Sequence, residues 1–310
     1  ADANTAVGYA ALNVNTTGTK CVAVGAYALD ANTTADSNTA IGYQSLSANT
    51  TGYQNTAVGE QSLILNTTGY RNTAIGFESL EDNTTGNYNS GLGYGSLASN
   101  TTADYNVAIG YETLKVNTTG AQNAAVGAHA LDANTTGNYN IAMGVNALGG
   151  NTSASGNTAL GFQSMLANTT GGENVAVGAY ALDANTTASA NTAVGYNCLS
   201  SNTTGALNTG VGRECLIENT TGDHNTAMGV ECLKENTTAD DNSAFGYFAL
   251  RANTTGDYNT AVGQGSLDAN TTGRVNTAVG AGTLTSNTTG DKNTAIGSSA
   301  LESNTTASEN

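Results

Sequence analysis

The chain has 310 residues, of which only 10% are charged, against ~25% in ordinary soluble domains. Its net charge is −16 with eight Lys and Arg in all, which excludes the clustered cations that nucleic acid and anionic membrane surfaces require. It contains no proline, no tryptophan and no apolar run of the length that spans a bilayer; Gly, Asn, Thr and Ala dominate.

Asn-Thr-Ala-Val/Ile-Gly recurs every 17 residues. The frame opens at Asn4, passes Asn38, Asn55 and Asn72, and reaches Asn293 without an insertion or deletion, so that eighteen copies fill the chain. A short period held this strictly marks a solenoid, in which each unit contacts only its neighbours. Residues 1–310 are therefore expected to form a single all-β repeat body, a parallel β-solenoid (β-roll) of eighteen 17-residue coils. Fixed apolar positions in every copy argue against disorder.

Within one coil, positions are counted from the Asn. The second to fourth form a short β-pattern, Thr/Val, Ala, Val/Ile. The fourth is always apolar (Val7, Val24, Ile41, Val58, Ile75 and on to Ile296), and the ninth is always Leu except for Met165. These two positions are expected to form the interior, with the seventh, tenth, sixteenth and seventeenth facing water. The third is Ala except for Gly91 and Gly210, and the fifth is Gly in every copy. An invariant glycine marks a left-handed residue or a very close backbone approach. The twelfth to fifteenth positions, Asn-Thr-Thr-Gly, read as a turn. Six coils carry Ala at the fifteenth (Ala35, Ala103, Ala154, Ala188, Ala239, Ala307), so that site does not demand positive φ in every coil. Seventeen residues suit two short strands and two turns, stacked at about the inter-strand spacing of 4.8 Å. In-register stacking would turn each position into a column, and stacked Asn amides can bond along the axis.

The segment from Val22 to Ala35 repeats letter for letter at Val175 to Ala188, nine coils later. Looser matches at the same offset (Tyr43 with Tyr196, Glu78 with Glu231) indicate duplication of a nine-repeat block, approximately 4–156 and 157–309. Growth by duplication suits a spacer whose length matters.

The twelfth-position residues Asn15, Asn32, Asn49, Asn66, Asn83, Asn100, Asn117, Asn134, Asn151, Asn168, Asn185, Asn202, Asn219, Asn236, Asn253, Asn270, Asn287 and Asn304 each head an Asn-x-Ser/Thr triplet. On an exposed turn of a secreted protein these are N-glycosylation acceptors; the alternative is that Asn-Thr-Thr is simply the turn. Cys198, Cys215 and Cys232 share the eighth position of three successive coils, a small-residue column, and read as reduced structural residues. Cys21 stands alone at a first position, and no Cys-x-x-Cys spacing suggests a metal. His129 and His224 fall at different positions five coils apart and cannot form one site. Acidic residues recur at the sixteenth position only intermittently, unlike the Asp in every turn of calcium-binding solenoids. No nucleophile–base pairing, phosphate loop or inserted cleft-forming loop occurs, so no catalytic residue, metal or cofactor is assigned and no enzyme is expected.

The segment Gly52–Leu63, GYQNTAVGEQSL, resembles the haemagglutinin-type head repeats of trimeric autotransporter adhesins, and also the repeats of phage-type tail-fibre proteins. The resemblance implies a β-roll, often trimeric, acting in attachment at a cell or virion surface. The chain is accordingly expected to be an extracellular structural fibre or adhesive shaft assembled from solenoid subunits. The alternative is an adhesin head or tail-fibre segment that binds glycans or a host surface through Tyr53, Tyr70, Tyr88 and Tyr105; clustered aromatics would favour binding, scattered ones a shaft. The expected partners are copies of the chain, end to end or as a side-by-side trimer, and surface glycans, without membrane insertion. The first and last copies match the interior pattern instead of a capping repeat, which is the basis for expecting end-to-end association.

Overall fold

A computed structural model describes residues 2–310, which hold eighteen three-residue strands and no helix. They divide into two compact units, 2–156 and 157–310, whose boundary coincides with the junction of the two nine-repeat blocks. The first unit carries β1 (Thr5–Val7) to β9 (Ile141–Met143), and the second β10 (Thr158–Leu160) to β18 (Thr294–Ile296). Within each unit every strand pairs in parallel, without a slip, with the strand 17 residues on. In the first, Val58 of β4 (Thr56–Val58) lies opposite Ile75 of β5 (Thr73–Ile75). In the second, Val262 lies opposite Val279. Each repeat is thus one complete coil of a parallel β-solenoid.

The coil has one strand, not two. The remaining residues turn, and their amides bond coil to coil: the N–H of Leu63 donates to the Ser79 carbonyl at 3.0 Å, and that of Thr67 to the Thr84 carbonyl at 2.9 Å. The turning is achieved by left-handed residues. In the coil that starts at Asn55, Gly59 has φ +137°, Gln61 +57°, Leu63 +52° and Arg71 +56°. Three of these four are not glycine, and the same three positions are left-handed in coil after coil. The fifth-position glycine also meets the close approach expected of it. A Cβ on Gly76 would lie 2.5 Å from the carbonyl oxygen of Gly93 in the next coil. The fifteenth-position glycine, which alternates with Ala, shows no positive φ.

The interior differs from the expected one at the fourth position. Successive strand residues point to opposite faces, and the coil is so thin that only the third-position Ala fits inward. Ala57 and Ala74 are fully buried, whereas Ile75 is 39% exposed. The ninth-position Leu is buried as expected, from Leu29 to Leu284. It is joined by the third- and eighth-position small residues and by two Asn columns. The two third-position glycines have local causes. A Cβ on Gly91 would lie 2.6 Å from the Ser79 hydroxyl, which pairs with Ser96 at 2.9 Å, and one on Gly210 would lie 2.6 Å from Cys198 Sγ. The tenth position is only half water-facing; burial pushes the carboxyls of Asp132, Asp183 and Asp268 above the usual range.

Candidate functional site

The columns with the most conspicuous chemistry prove to be internal scaffolding. At the first position, Asn55 Oδ1 accepts the Asn72 N–H at 2.9 Å and Asn55 Nδ2 donates to the Gly69 carbonyl at 2.8 Å. At the twelfth, Asn66 Nδ2 donates both to Asn49 Oδ1 and to the same Gly69 carbonyl, each at 2.9 Å. The Asn column from Asn32 to Asn287 is fully buried, and Asn15 and Asn304 at its ends are half-buried. Of the two readings of the triplet, the geometry favours the plain turn: the nitrogen that would carry a glycan is enclosed, and its two hydrogens run the ladder. The Thr that follows completes the turn, with Thr67 Oγ1 donating to the Thr84 carbonyl at 3.1 Å. A buried amide left without such partners would cost ~1–3 kcal/mol, which explains why the triplet recurs in every coil.

The sixteenth-position carboxylates serve the same end. Asp36 Oδ1 accepts the Thr19 backbone N–H at 2.7 Å and its hydroxyl at 2.9 Å, and these bonds hold the carboxyl below the usual range. Asp240 and Asp257 likewise accept the backbone N–H of the preceding coil, at 2.7 and 3.0 Å. Among the described residues no group of three or more His, Cys, Asp or Glu is arranged to hold a metal ion. Cys198, Cys215 and Cys232 are buried free thiols in one column, and Cys215 and Cys232 donate to the Ala227 and Ala244 carbonyls at 3.2 Å. Hydrogen bonding with its two thiol neighbours, then burial, pushes the Cys215 thiol well up. Cys21, also buried, substitutes for an Asn rung and is raised by burial. His129 lies 3.4 Å from Asp132 and 3.7 Å from Glu112 in the first unit; His224 belongs to the second. Most basic side chains are paired with acids: Lys115 with Glu112, Arg213 and Lys234 with Glu214 and Glu231, Arg251 with Asp268 and Arg274 with Asp257.

Besides the fourteenth-position Thr/Ser column, exposed in every coil, two features face solvent in register. One is the outer face of the sheet, built from the second and fourth positions. No coil places a charged residue at either. Val7, Ile41, Ile75, Leu92, Ile109 and Met143 are exposed along the first unit, as are Met228, Phe245, Val262 and Ile296 along the second. In the first unit this face is flanked at the sixth position by Phe77, Tyr94 and Tyr111, stacked at 5.5 and 5.2 Å.

The other is a tyrosine ladder at the sixteenth and seventeenth positions, just before the next coil begins. Tyr53 stacks on Tyr70 at 4.8 Å and 5°, Tyr70 meets Tyr88 edge-on at 5.3 Å, and Tyr88 stacks on Tyr105 at 4.8 Å and 4°. Arg71 ties the ladder together, donating to the Tyr88 hydroxyl at 2.8 Å and to Gln54 Oε1 at 2.9 Å. The four tyrosines named from the sequence are thus brought into one cluster. The apolar face went unread, although the alternation of a three-residue strand, with an invariably tiny middle residue, carried the signal. No protein-family model matches the chain, and no curated protein matches it.

Proposed function

We propose that the chain is a structural shaft, an extracellular fibre subunit, whose solenoid units associate laterally with copies of themselves through the outer sheet face. The observation that carries this reading is the column of Val, Ile, Leu, Met and Phe at the fourth position, exposed or half-exposed along each unit, with no charged residue at the second or fourth position of any coil. Contiguous apolar surface of this kind marks interaction sites on soluble proteins. A parallel sheet with the same spacing in every copy is complementary to another like it, and neither strand position of this face carries an acid, so a chain of net charge −16 can approach itself there. The interior ladders give stiffness without a large core, which suits a spacer. The resemblance to adhesin heads and tail-fibre repeats points the same way and supports the surface location and a trimeric arrangement.

The test is light scattering across a concentration series, comparing the chain with a variant carrying Ile41→Lys, Ile75→Lys and Ile109→Lys. The parent should form oligomers and the variant should be monomeric with an unchanged circular dichroism spectrum. A parent that stays monomeric at high concentration would overturn the reading. The second reading, an adhesin or tail-fibre segment that binds glycans or a host surface, is favoured by a separate observation, the clustering of Tyr53, Tyr70, Tyr88 and Tyr105.

A further inference from the structure

The tyrosine ladder ends abruptly at Tyr53. Tyr70 covers one side of its ring. On the other side the preceding coil offers only Asp36 and Ser37 at the corresponding positions, so no ring continues the stack. Tyr53, 40% exposed, lines a recess of about 340 Å³ together with Thr34, Ala35, Asp36, Ser37, Thr51 and Gln54. From this we infer that the recess is a saccharide subsite, in which the Tyr53 ring takes the apolar face of a neutral pyranose and the surrounding hydroxyls and carboxylate take its hydroxyl groups.

Several observations fix the ligand class. The lining is one aromatic plane with three hydroxyls, one amide and one carboxylate, a mixture suited to a molecule that is apolar on one face and rich in hydroxyls at its rim. Its volume lies within the usual range for small-molecule sites, about 300–1,000 Å³. Asp36 is kept ionised by its bonds to Thr19, so it accepts from sugar hydroxyls, and although Lys20 lies near it the chain's net charge of −16 disfavours anionic sugars. The one nearby guanidinium, Arg71, is committed to Gln54 and Tyr88. The platform is also rigid before any ligand arrives, since Tyr53 is stacked and Gln54 is tied to Arg71, which lowers the ordering cost of binding.

This inference rests on the second of the two readings above and gives it a site and a ligand class. The test is saturation-transfer NMR with maltotriose, cellotriose and sialyllactose on the full chain. At least one neutral trisaccharide should bind saturably, with sialyllactose at least tenfold weaker. Tyr53→Ala should abolish binding, and the fold accommodates it because Ala121 and Ala206 occupy the same repeat position. Asp36→Tyr should also abolish it by extending the stack into the recess, while Tyr258→Ala, an exposed tyrosine of the second unit, should bind as the parent does. The inference falls if neither neutral trisaccharide binds, if Tyr53→Ala binds like the parent, or if sialyllactose binds as well as the neutral sugars. Adhesion of the full chain to glycan-coated beads separates the two claims: adhesion that persists in Tyr53→Ala would sink the recess and leave the adhesin reading standing.

Discussion

The two glycine columns differ in that only the fifteenth position accepts Ala in some coils, and the pair Gly76→Ala and Gly86→Ala tests the physics behind that difference. At Gly76, φ is +132°, a region essentially closed to residues with a Cβ, and the new methyl would lie 2.5 Å from the Gly93 oxygen and 2.7 Å from its carbon. The backbone conformation alone costs ~1–3 kcal/mol. The overlap is with backbone locked into the next coil, where the Gly76 N–H bonds the Val58 carbonyl at 2.8 Å and the Gly93 N–H bonds the Ile75 carbonyl at 2.8 Å. Relief therefore requires breaking a rung, and a total loss of about 3 kcal/mol or more is expected. At Gly86 a Cβ is also tight, 2.5 Å from the Ala103 oxygen, but φ is not left-handed and six coils already hold Ala there. A loss within about 1 kcal/mol is expected. Urea melts of the full chain followed by circular dichroism, with limited proteolysis to locate opening, provide the assay. Gly76→Ala should shift the midpoint strongly and open the chain near residue 76, and Gly86→Ala should do neither. Equal shifts for the two variants would refute the argument from φ.

Other expectations follow from burial. Leu131→Asp should damage folding by several kcal/mol, because it places a carboxylate in a fully buried column; Asp132→Ser, one residue on, should be tolerated when compared by thermal melts. Asp183 is raised by burial, so its contribution is favourable below the unfolded pKa, near 4, and is lost as pH rises through the raised value. Asp183→Ser should therefore raise the melting temperature near neutral pH, and the gain should vanish as pH falls toward about 4. The buried thiols Cys198, Cys215 and Cys232 should resist a thiol reagent until urea opens the coils, as read by mass spectrometry.

How much of this was legible depended on whether a residue type had one structural use or several. The period and the lack of insertions dictate coil-on-coil stacking, and Val58 does face Ile75. The fifth-position Gly and ninth-position Leu were readable because only one environment suits each in every copy. The fourth position misled because apolarity usually signals the interior. Here the coil is too thin for a Val or Ile on the strand's inner face, and the column is left outside. The Asn columns were readable as ladders along the axis, but not as buried ones, since a polar residue is buried only when its bonds are all made, and those bonds come from coils 17 residues away. For the same reason Asn-x-Thr could be read as an acceptor on an exposed turn. The tyrosine cluster was half legible: its members were named, but the switch from the sixteenth to the seventeenth position between Tyr70 and Tyr88 hides their continuity.

The left-handed residues were not legible at all, and they carry a last prediction. Gln61, Leu63 and Arg71 have φ of +57°, +52° and +56°, and their equivalents recur along both units. Each such residue costs roughly 1–2 kcal/mol relative to an ordinary conformation, so a coil carries about 3–6 kcal/mol of conformational strain before any chain entropy is counted. Nothing inside one coil offsets this: its turn bonds are few, such as the Asn66 N–H to the Leu63 carbonyl at 3.2 Å. The offset comes from neighbours, through the strand pairing, the Leu63 N–H to Ser79 carbonyl bond, the Thr ladder and both Asn columns. A coil at the end of a stack has these on one side only. Folding should therefore depend steeply on coil number, as expected for nearest-neighbour arrays. A synthetic peptide spanning Asn55 to Tyr88, two coils, should show a disordered circular dichroism spectrum, whereas residues 157–310 expressed alone should give a cooperative melt. A structured two-coil peptide would mean that the left-handed turns are locally encoded, and would overturn the account of the fold as strain relieved only by stacking.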